Sequence, residues 1–311
     1  MKINILFLAN AEDWRDYEPP LKEALLKKLG PNFILSDSIN AEIVDYIIYS
    51  PNSSINDFTP FKRCKAILNL WAGVETLIKN KTIKIPLTRM VDEGLKSGMV
   101  EWVVGHILRH HLGMDNHILN ENQNWLPRPP PLAKDRITTV LGIGALGSAV
   151  GTALRQLGFK VRGWSKNPKS IKGIRCYHGP EGLTKALTNT EFVILLLPKT
   201  PETENVLNER TISLLKRGAF VINPGRGALI NDGALLKALD CGQLSHATLD
   251  VFRIEPLPID HPFWFNSNIT VTPHIAAATR PAYAAEVIVD NIKRSEKGQK
   301  LLHLVDLGRG Y

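Results

Sequence analysis

Three glycines, Gly142, Gly144 and Gly147, stand at the spacing G-x-G-x-x-G between an apolar run, Ile137 to Leu141, and a segment that opens a helical pattern. A bound pyrophosphate needs this sequence of strand, tight turn and helix start. Gly142 allows the turn, Gly144 lets phosphates approach the backbone, and Gly147 lets the helix pack close on the strand. The first helical N–H groups, at Ala145 and Leu146, then meet the anion at the favourable end of the helix dipole. Ala145, Ala149, Ala153 and Leu157 are expected to share one face of that helix. The chemistry predicted is dinucleotide binding.

The next strand sharpens this reading. In NAD-binding units it ends in an Asp or Glu that holds the ribose 2′-OH. Here Lys160 to Trp164 runs into Ser165-Lys166-Asn167-Pro168-Lys169, a hydroxyl and two cations without a carboxylate. Such a tip welcomes a 2′-phosphate and deprives a plain ribose of its acceptor, so NADPH is expected over NADH.

Three later strand ends carry ionisable groups in rigid settings: Arg226 in Asn223-Pro224-Gly225-Arg226-Gly227, Glu255 in Asp250-Val251-Phe252-Arg253-Ile254-Glu255-Pro256, and His274 in Thr272-Pro273-His274-Ile275-Ala276-Ala277. Flanking proline and glycine restrict the backbone, which a site needs and a random surface residue does not. Two strand ends in the first hundred residues also stand out. Leu70-Trp71-Ala72-Gly73-Val74-Glu75 presents backbone N–H groups at a turn, and Arg89 follows Leu87-Thr88. His106 and His110 lie one helical turn apart but lack an acidic or Cys partner nearby, so no metal site is expected.

The elements that must position these residues alternate. Strands are expected at Ile3–Leu8, Val44–Tyr49, Ala66–Leu70 and Ile83–Thr88, with a helix from Pro20 to Leu29. A long helix begins at Gly98, with Val100, Val103, Val104, Ile107, Leu108 and Leu112 as its apolar stripe. After a rigid Pro127-Arg128-Pro129-Pro130-Pro131 connection come the glycine strand and strands at Lys160–Trp164, Phe192–Leu197, Ala219–Ile222, His246–Asp250 and Ile269–Thr272. Helices are read at Asn208–Leu215 and Asp232–Leu239. This alternation predicts parallel sheets covered by helices, with ligands just beyond the C-terminal strand ends.

A chain of 311 residues suggests about two domains, and an apolar share of 44% is ordinary for globular cores. No apolar run approaches the roughly 18 residues that span a bilayer. Met1-Lys2 followed by Ile3 to Ala9 imitates a signal peptide only superficially and reads as the first strand. Cys64, Cys176 and Cys241 are far apart, which argues for a reducing cytoplasm and against disulfides or zinc. Lys and Arg exceed Asp and Glu by 38 to 30, a net charge of +8, but the basic residues are scattered and form no nucleic-acid reader motif. The modest positive field suits anionic small molecules.

Together N-P-G-R-G, D-V-F-R-I-E-P and T-P-H-I-A-A, behind G-I-G-A-L-G, resemble the D-2-hydroxyacid dehydrogenase family over essentially the whole chain. Within it the W-A-G-V-E loop, the G-W-S-K strand end and the terminal Arg309-Gly310-Tyr311 resemble the bacterial glyoxylate/hydroxypyruvate reductase A group. One departure is Asn223-Pro224-Gly225, where N-[LVT]-[AS]-R-G is more usual. The resemblance implies that Arg226 grips the substrate carboxylate and α-oxygen, a bidentate task suited to guanidinium. It implies His274 as general acid, with Glu255 beside it favouring the charged imidazolium. It also implies a carboxylate cradle from Ala72 and Gly73 next to Trp71, and cofactor contacts at Pro198, Pro224 and Asp250 in addition to Ser165 and Lys166; for Asp250 the alternative is a structural acid at a strand end.

The expected fold is α/β, with two doubly wound parallel-sheet domains. Residues 1–98 and 275–311 would form a flavodoxin-like substrate domain and 99–274 a Rossmann NAD(P)-binding domain. The expected function is NADPH-dependent reduction of small 2-oxoacids, glyoxylate to glycolate and hydroxypyruvate to D-glycerate. Trp71, Arg89, Met99 and Trp264 are expected to set substrate size. An NAD(H)-sensing interaction protein of the C-terminal-binding-protein corepressor type shares the fold and is the rival. A homodimer through the nucleotide domain is expected because the apolar stripe from Val100 to Leu112 is poorly suited to solvent.

Overall fold

A computed structural model of the chain describes residues 2–119, 123, 125 and 127–307, so the terminal Arg309-Gly310-Tyr311 lies outside the described residues. The chain divides into two compact units, Met1–Leu95 with Thr279–Tyr311, and Lys96–Ala278. In chain order the elements are β1 (Ile3–Leu8), α1 (Ala11–Leu29), β2 (Phe33–Ser36), β3 (Tyr46–Tyr49), β4 (Ala66–Asn69), β5 (Leu87–Thr88), α2 (Glu93–Leu112) and α3 (Met114–Ile118). They continue with β6 (Ile137–Leu141), α4 (Ala145–Gln156), β7 (Lys160–Ser165), β8 (Arg175–His178), α5 (Gly179–Leu187), β9 (Phe192–Leu195) and α6 (Glu209–Ile212). The last are β10 (Ala219–Asn223), α7 (Asp232–Asp240), β11 (Leu244–Leu249), β12 (Ile269–Val271) and α8 (Pro281–Glu296).

The first unit is a five-stranded parallel sheet in the order β2-β1-β3-β4-β5. Its inner strands β1, β3 and β4 are short apolar runs buried on both faces, as helix-covered parallel strands must be, whereas the edge strand β2 is only partly buried. On one face Phe7, Leu21, Leu25, Leu68 and Ile288 pack together; on the other, Leu6, Ile47, Phe58 and Leu87. Helix α1 starts at Ala11, nine residues before the Pro20 start expected from sequence, because Asn10 caps it by accepting from the Asp13 N–H at 2.7 Å. Pro19 and Pro20 lie inside it. The carbonyls they leave without helical donors belong to Arg15 and Asp16, which face solvent and can be hydrated.

The second unit is a seven-stranded parallel sheet in the order β12-β11-β10-β9-β6-β7-β8. Chain order reverses between β6 and β9, the kind of switch point outside which open α/β sheets bind ligands. The two doubly wound sheets are the fold class read from sequence. Strand β8 and helix α5 were not anticipated: Arg-Cys-Tyr-His is a polar edge segment with little hydrophobic signal. Helix α4 buries Gly147, Val150, Gly151 and Leu154, whereas Ala145 and Leu157 are exposed. The face expected from Ala145, Ala149, Ala153 and Leu157 is therefore rotated by about one residue, because the small Gly147 and Gly151 allow the closest approach to the sheet. Among the described residues no helix is long and apolar enough to cross a membrane.

Candidate functional site

The glycine turn is built by close approach. Gly142 has φ of 103°, and a Cβ there would stand 2.4 Å from the Leu196 carbonyl oxygen. A Cβ on Gly147 would stand 1.9 Å from the oxygen of Gly142. Neither position tolerates a side chain. At Gly144, the N-cap of α4, an added Cβ would meet nothing within 4 Å, so this end of the helix opens outward. An open helix N-terminus framed by two obligatory glycines fits a dinucleotide pyrophosphate.

The tip of β7 lies next to this turn, since Leu141 pairs with Trp164 and the Gly142 N–H donates to the Trp164 carbonyl at 2.9 Å. Ser165 is buried and its hydroxyl donates to the Asn167 carbonyl at 2.8 Å, which shapes the tip. The Lys166 ammonium is exposed and stands 3.6 Å from the Glu202 carboxylate. Lys169 reaches back to the glycine turn and donates to the Ile143 carbonyl at 3.0 Å, an oxygen that also accepts from the Ser148 hydroxyl at 3.1 Å. Pro198 anchors the turn after β9, where its carbonyl accepts from the Thr203 hydroxyl at 2.6 Å.

Strands β10, β11 and β12 are adjacent and parallel, so the segments after their C-terminal ends lie along one edge. After β10, buried Asn223 organises the turn: its amide donates to the Arg226 carbonyl at 3.0 Å and its oxygen accepts from the Gly225 N–H at 3.1 Å. A Cβ on Gly225 would lie 2.6 Å from the Leu195 carbonyl oxygen, so the close approach of these backbones accounts for glycine here. The half-buried Arg226 guanidinium donates to the Gly225 carbonyl at 2.8 Å.

His274 and Glu255 meet directly. The His274 Nδ1 lies 2.7 Å from Glu255 Oε2, while Glu255 Oε1 accepts from the Phe252 N–H at 2.8 Å. His274 adopts a left-handed backbone, φ 54°, an uncommon state for a residue with a side chain. Asp250 holds it there. The fully buried carboxylate accepts from the Thr272 hydroxyl at 2.5 Å and from the Ile275 and Ala276 N–H groups at 2.9 and 2.8 Å. Its own carbonyl accepts from the His274 N–H at 2.9 Å. Asp250, read from sequence as a nicotinamide contact, thus has both carboxylate oxygens engaged by the His274 turn.

In the first unit, Trp71, Ala72 and Gly73 form the turn after β4. Buried Asn69 holds it by donating to the Trp71 and Gly73 carbonyls at 2.8 and 3.2 Å. Arg89 follows β5 and is half-buried, its N–H donating to the His303 carbonyl at 3.1 Å. The turn-holding roles of Asn69 and Asn223 are not among the sequence-based expectations. Both share a signal that would have found them, an Asn ending an apolar strand just before a glycine-containing turn. Met99, expected near substrate, is instead a core residue of the second unit, packed with Val103 and Ile107. Trp264 is half-exposed and its indole donates to the Pro258 carbonyl at 3.0 Å.

The histidines of α2 serve the interior. His110 is buried, lies 2.8 Å from the Thr248 hydroxyl through Nε2, and stacks on Phe220 with ring centroids 5.0 Å apart. His246 lies 2.8 Å from the Thr270 hydroxyl. Burial is the largest cause that pushes His110 down to about 3 and His246 to about 4, with the neighbouring Arg109 charge acting in the same direction. Both are therefore neutral. Among the described residues no His, Cys, Asp and Glu cluster could hold a metal ion.

An open glycine turn at a doubly wound switch point, with an arginine and a histidine–carboxylate pair on the same sheet edge, defines an NAD(P)-dependent dehydrogenase. Residues 103–276 match the family described as D-isomer specific 2-hydroxyacid dehydrogenase, NAD binding domain. The chain belongs to this family. It is 40% identical over 255 residues to a glyoxylate/hydroxypyruvate reductase A of Yersinia enterocolitica, covering 79% of this chain and 82% of that protein. A D-isomer specific 2-hydroxyacid dehydrogenase of Xanthobacter autotrophicus Py2, solved with NADPH and MES, is 34% identical with a TM-score of 0.92 and full coverage of both chains. The NADPH-dependent glyoxylate/hydroxypyruvate reductase of Sinorhizobium meliloti, solved with NADP and sulfate, is 30% identical with a TM-score of 0.84, covering 100% of this chain and 99% of that one.

Proposed function

We propose that this protein reduces small 2-oxoacids to D-2-hydroxyacids with NADPH, with glyoxylate and hydroxypyruvate as substrates. The observation that carries the reading is the 2.7 Å contact between His274 Nδ1 and Glu255 on the strand end next to that of Arg226. The names of the Yersinia and Sinorhizobium relatives support the substrate class, and the cofactors of the Xanthobacter and Sinorhizobium structures support NADPH.

Gly142, Gly144, Gly147 and the first N–H groups of α4, at Ala145 and Leu146, would hold the pyrophosphate, with Pro198 and Pro224 bordering the cofactor. Lys166 would meet the 2′-phosphate at the tip that Ser165 shapes. The cofactor, when bound, supplies a hydride to the substrate carbonyl carbon. Arg226 offers a planar fork of donors to the substrate carboxylate and α-oxygen. With Nδ1 committed to Glu255, Nε2 is the histidine nitrogen that can hand a proton to the carbonyl oxygen as it gains charge. Glu255 compensates the imidazolium before transfer and orients the ring. Asp250 acts through the backbone, fixing the turn that presents His274. Ala72 and Gly73 belong to the same reading as a carboxylate cradle, and Trp71 and Arg89 as pocket residues that set substrate size.

A homodimer is part of the reading, but not through the α2 stripe. Val103 and Ile107 are buried within their own unit, and Val100, Val104 and Leu108 pack against the same cluster. The exposed Met114, Ile118, Leu119 and Trp125, just beyond α2, are better suited to a second copy. Sedimentation at micromolar concentration checks this, and a monomer overturns it.

The deciding experiment measures kcat/KM with NADPH over a panel of 2-oxoacids of increasing size. Highest efficiency with glyoxylate and hydroxypyruvate supports the proposal. Preference for a bulky branched or aromatic 2-oxoacid refutes the substrate class. NADPH binding without turnover of any 2-oxoacid would favour the sensing-protein reading.

A further inference from the structure

The Arg226 turn and the Glu255 loop touch through their backbones. A Cβ on Gly227 would lie 2.0 Å from the carbonyl carbon of Phe252, so the two segments have no side chain between them. One side chain then laces them together. Arg253, two residues before Glu255, donates to the Ile230 carbonyl at 2.5 Å, to the Ala228 carbonyl at 3.5 Å and to the Asn205 side-chain oxygen. Its guanidinium also stands 3.3 Å from the Glu204 carboxylate and 3.6 Å from that of Asp232, the first residue of α7. Asn205 is itself part of the turn, because its N–H donates to the Ala228 carbonyl at 2.9 Å.

Arg226 is therefore held from two sides. Asn223 grips its carbonyl from within the turn, and Arg253 grips the carbonyls two and four residues downstream. The same Arg253 backbone runs into Glu255, whose orientation depends on the Phe252 N–H. One planar group with five donors can bond several acceptors arranged in a fan; an ammonium is a point charge and cannot match that geometry.

We propose that Arg253 is a positioning residue for the reaction: it locks the Arg226 turn to the Glu255 loop and so fixes the substrate-gripping guanidinium relative to the His274–Glu255 pair. The inference rests on the proposed roles of Arg226 and His274. It does not involve the dinucleotide turn, which lies on β6 and α4. That separation supplies the test.

Kinetics with glyoxylate are compared for the parent, Arg226→Gln, Arg253→Gln and Arg253→Lys, together with the NADPH dissociation constant from fluorescence titration. Misplacing a positioned group costs roughly ten- to a hundredfold. Arg253→Gln should lower kcat/KM by about that factor, mainly through a higher glyoxylate KM, while the NADPH dissociation constant stays within about twofold. Arg253→Lys should recover part of the loss, and it decides the matter if the Gln variant does not fold. Glyoxylate kinetics of both Arg253 variants within about twofold of the parent overturn the inference, as does a parallel loss of NADPH affinity, which marks general unfolding. If Arg226→Gln leaves the glyoxylate KM unchanged, it is the proposed function that fails.

Discussion

Two regions of the larger unit place histidines on the same sheet and use them in opposite ways. Along the C-terminal strand edge, His274 is half-exposed, held in a left-handed backbone and paired with a carboxylate. Where α2 crosses β10 and β11, His110 is buried, stacked on Phe220 and bonded to a hydroxyl. A histidine with a charged partner and access to solvent can carry a proton to a substrate. One that is enclosed by rings and hydroxyls is kept neutral and serves packing. Residue type alone does not separate the two; the partner and the burial do. The edge should therefore fail in chemistry while the fold survives, and the α2 seam should fail in stability while the chemistry survives.

The largest effect is expected at the edge. His274→Gln should lower kcat by about 10²–10⁴-fold, the usual range for losing a general acid. Its thermal midpoint should stay close to that of the parent, because the side chain is half-exposed. A melting temperature that collapsed with the activity would break the comparison. Next comes the β7 tip. Lys166→Ala should weaken NADPH by about ten- to a hundredfold, the equivalent of a charge-assisted contact, and leave NADH nearly unchanged. Ser165→Asp should tilt the preference toward NADH. Equal kcat/KM for the two cofactors in the parent enzyme would show that this tip does not read the phosphate.

At the seam, His110→Phe keeps a ring against Phe220 but leaves the buried Thr248 hydroxyl without its imidazole partner. A loss of about 1–3 kcal/mol in urea unfolding is expected, with kcat within about twofold of the parent. A larger effect on kcat than on stability would assign His110 to the reaction. The smallest effect is the pH dependence of that stability. His110 and His246 lie below the ordinary histidine value of 6.5, at about 3 and about 4, with burial as the first cause. Between those values the unfolded chain binds more protons than the native one, so stability is complete above about 6.5 and declines as pH falls toward 4. The urea midpoint should follow that course, and His246→Gln should flatten it. A midpoint that rises on acidification would reverse the assigned sign.

The amino-acid sequence by itself determined the two parallel sheets, the glycine turn and the three chemistry-bearing strand ends. These features are local. A buried parallel strand is a short apolar run, and a turn that excludes Cβ atoms demands glycine within a few positions. The strand-ending Asn69 and Asn223 belong to the same class, although their meaning emerged only with the bonds they make. The tertiary structure alone decided which polar groups meet. The His274–Glu255 contact spans 19 positions and the His110–Thr248 contact 138, distances along the chain over which composition and periodicity carry no information. It also showed what residues with ambiguous local patterns touch. Asp250 follows β11 directly, and the sheet buries it under the His274 turn, where its carboxylate is matched by N–H and hydroxyl donors. The apolar stripe of α2 is the general case: a helical period reveals that a face is covered, and only packing shows what covers it.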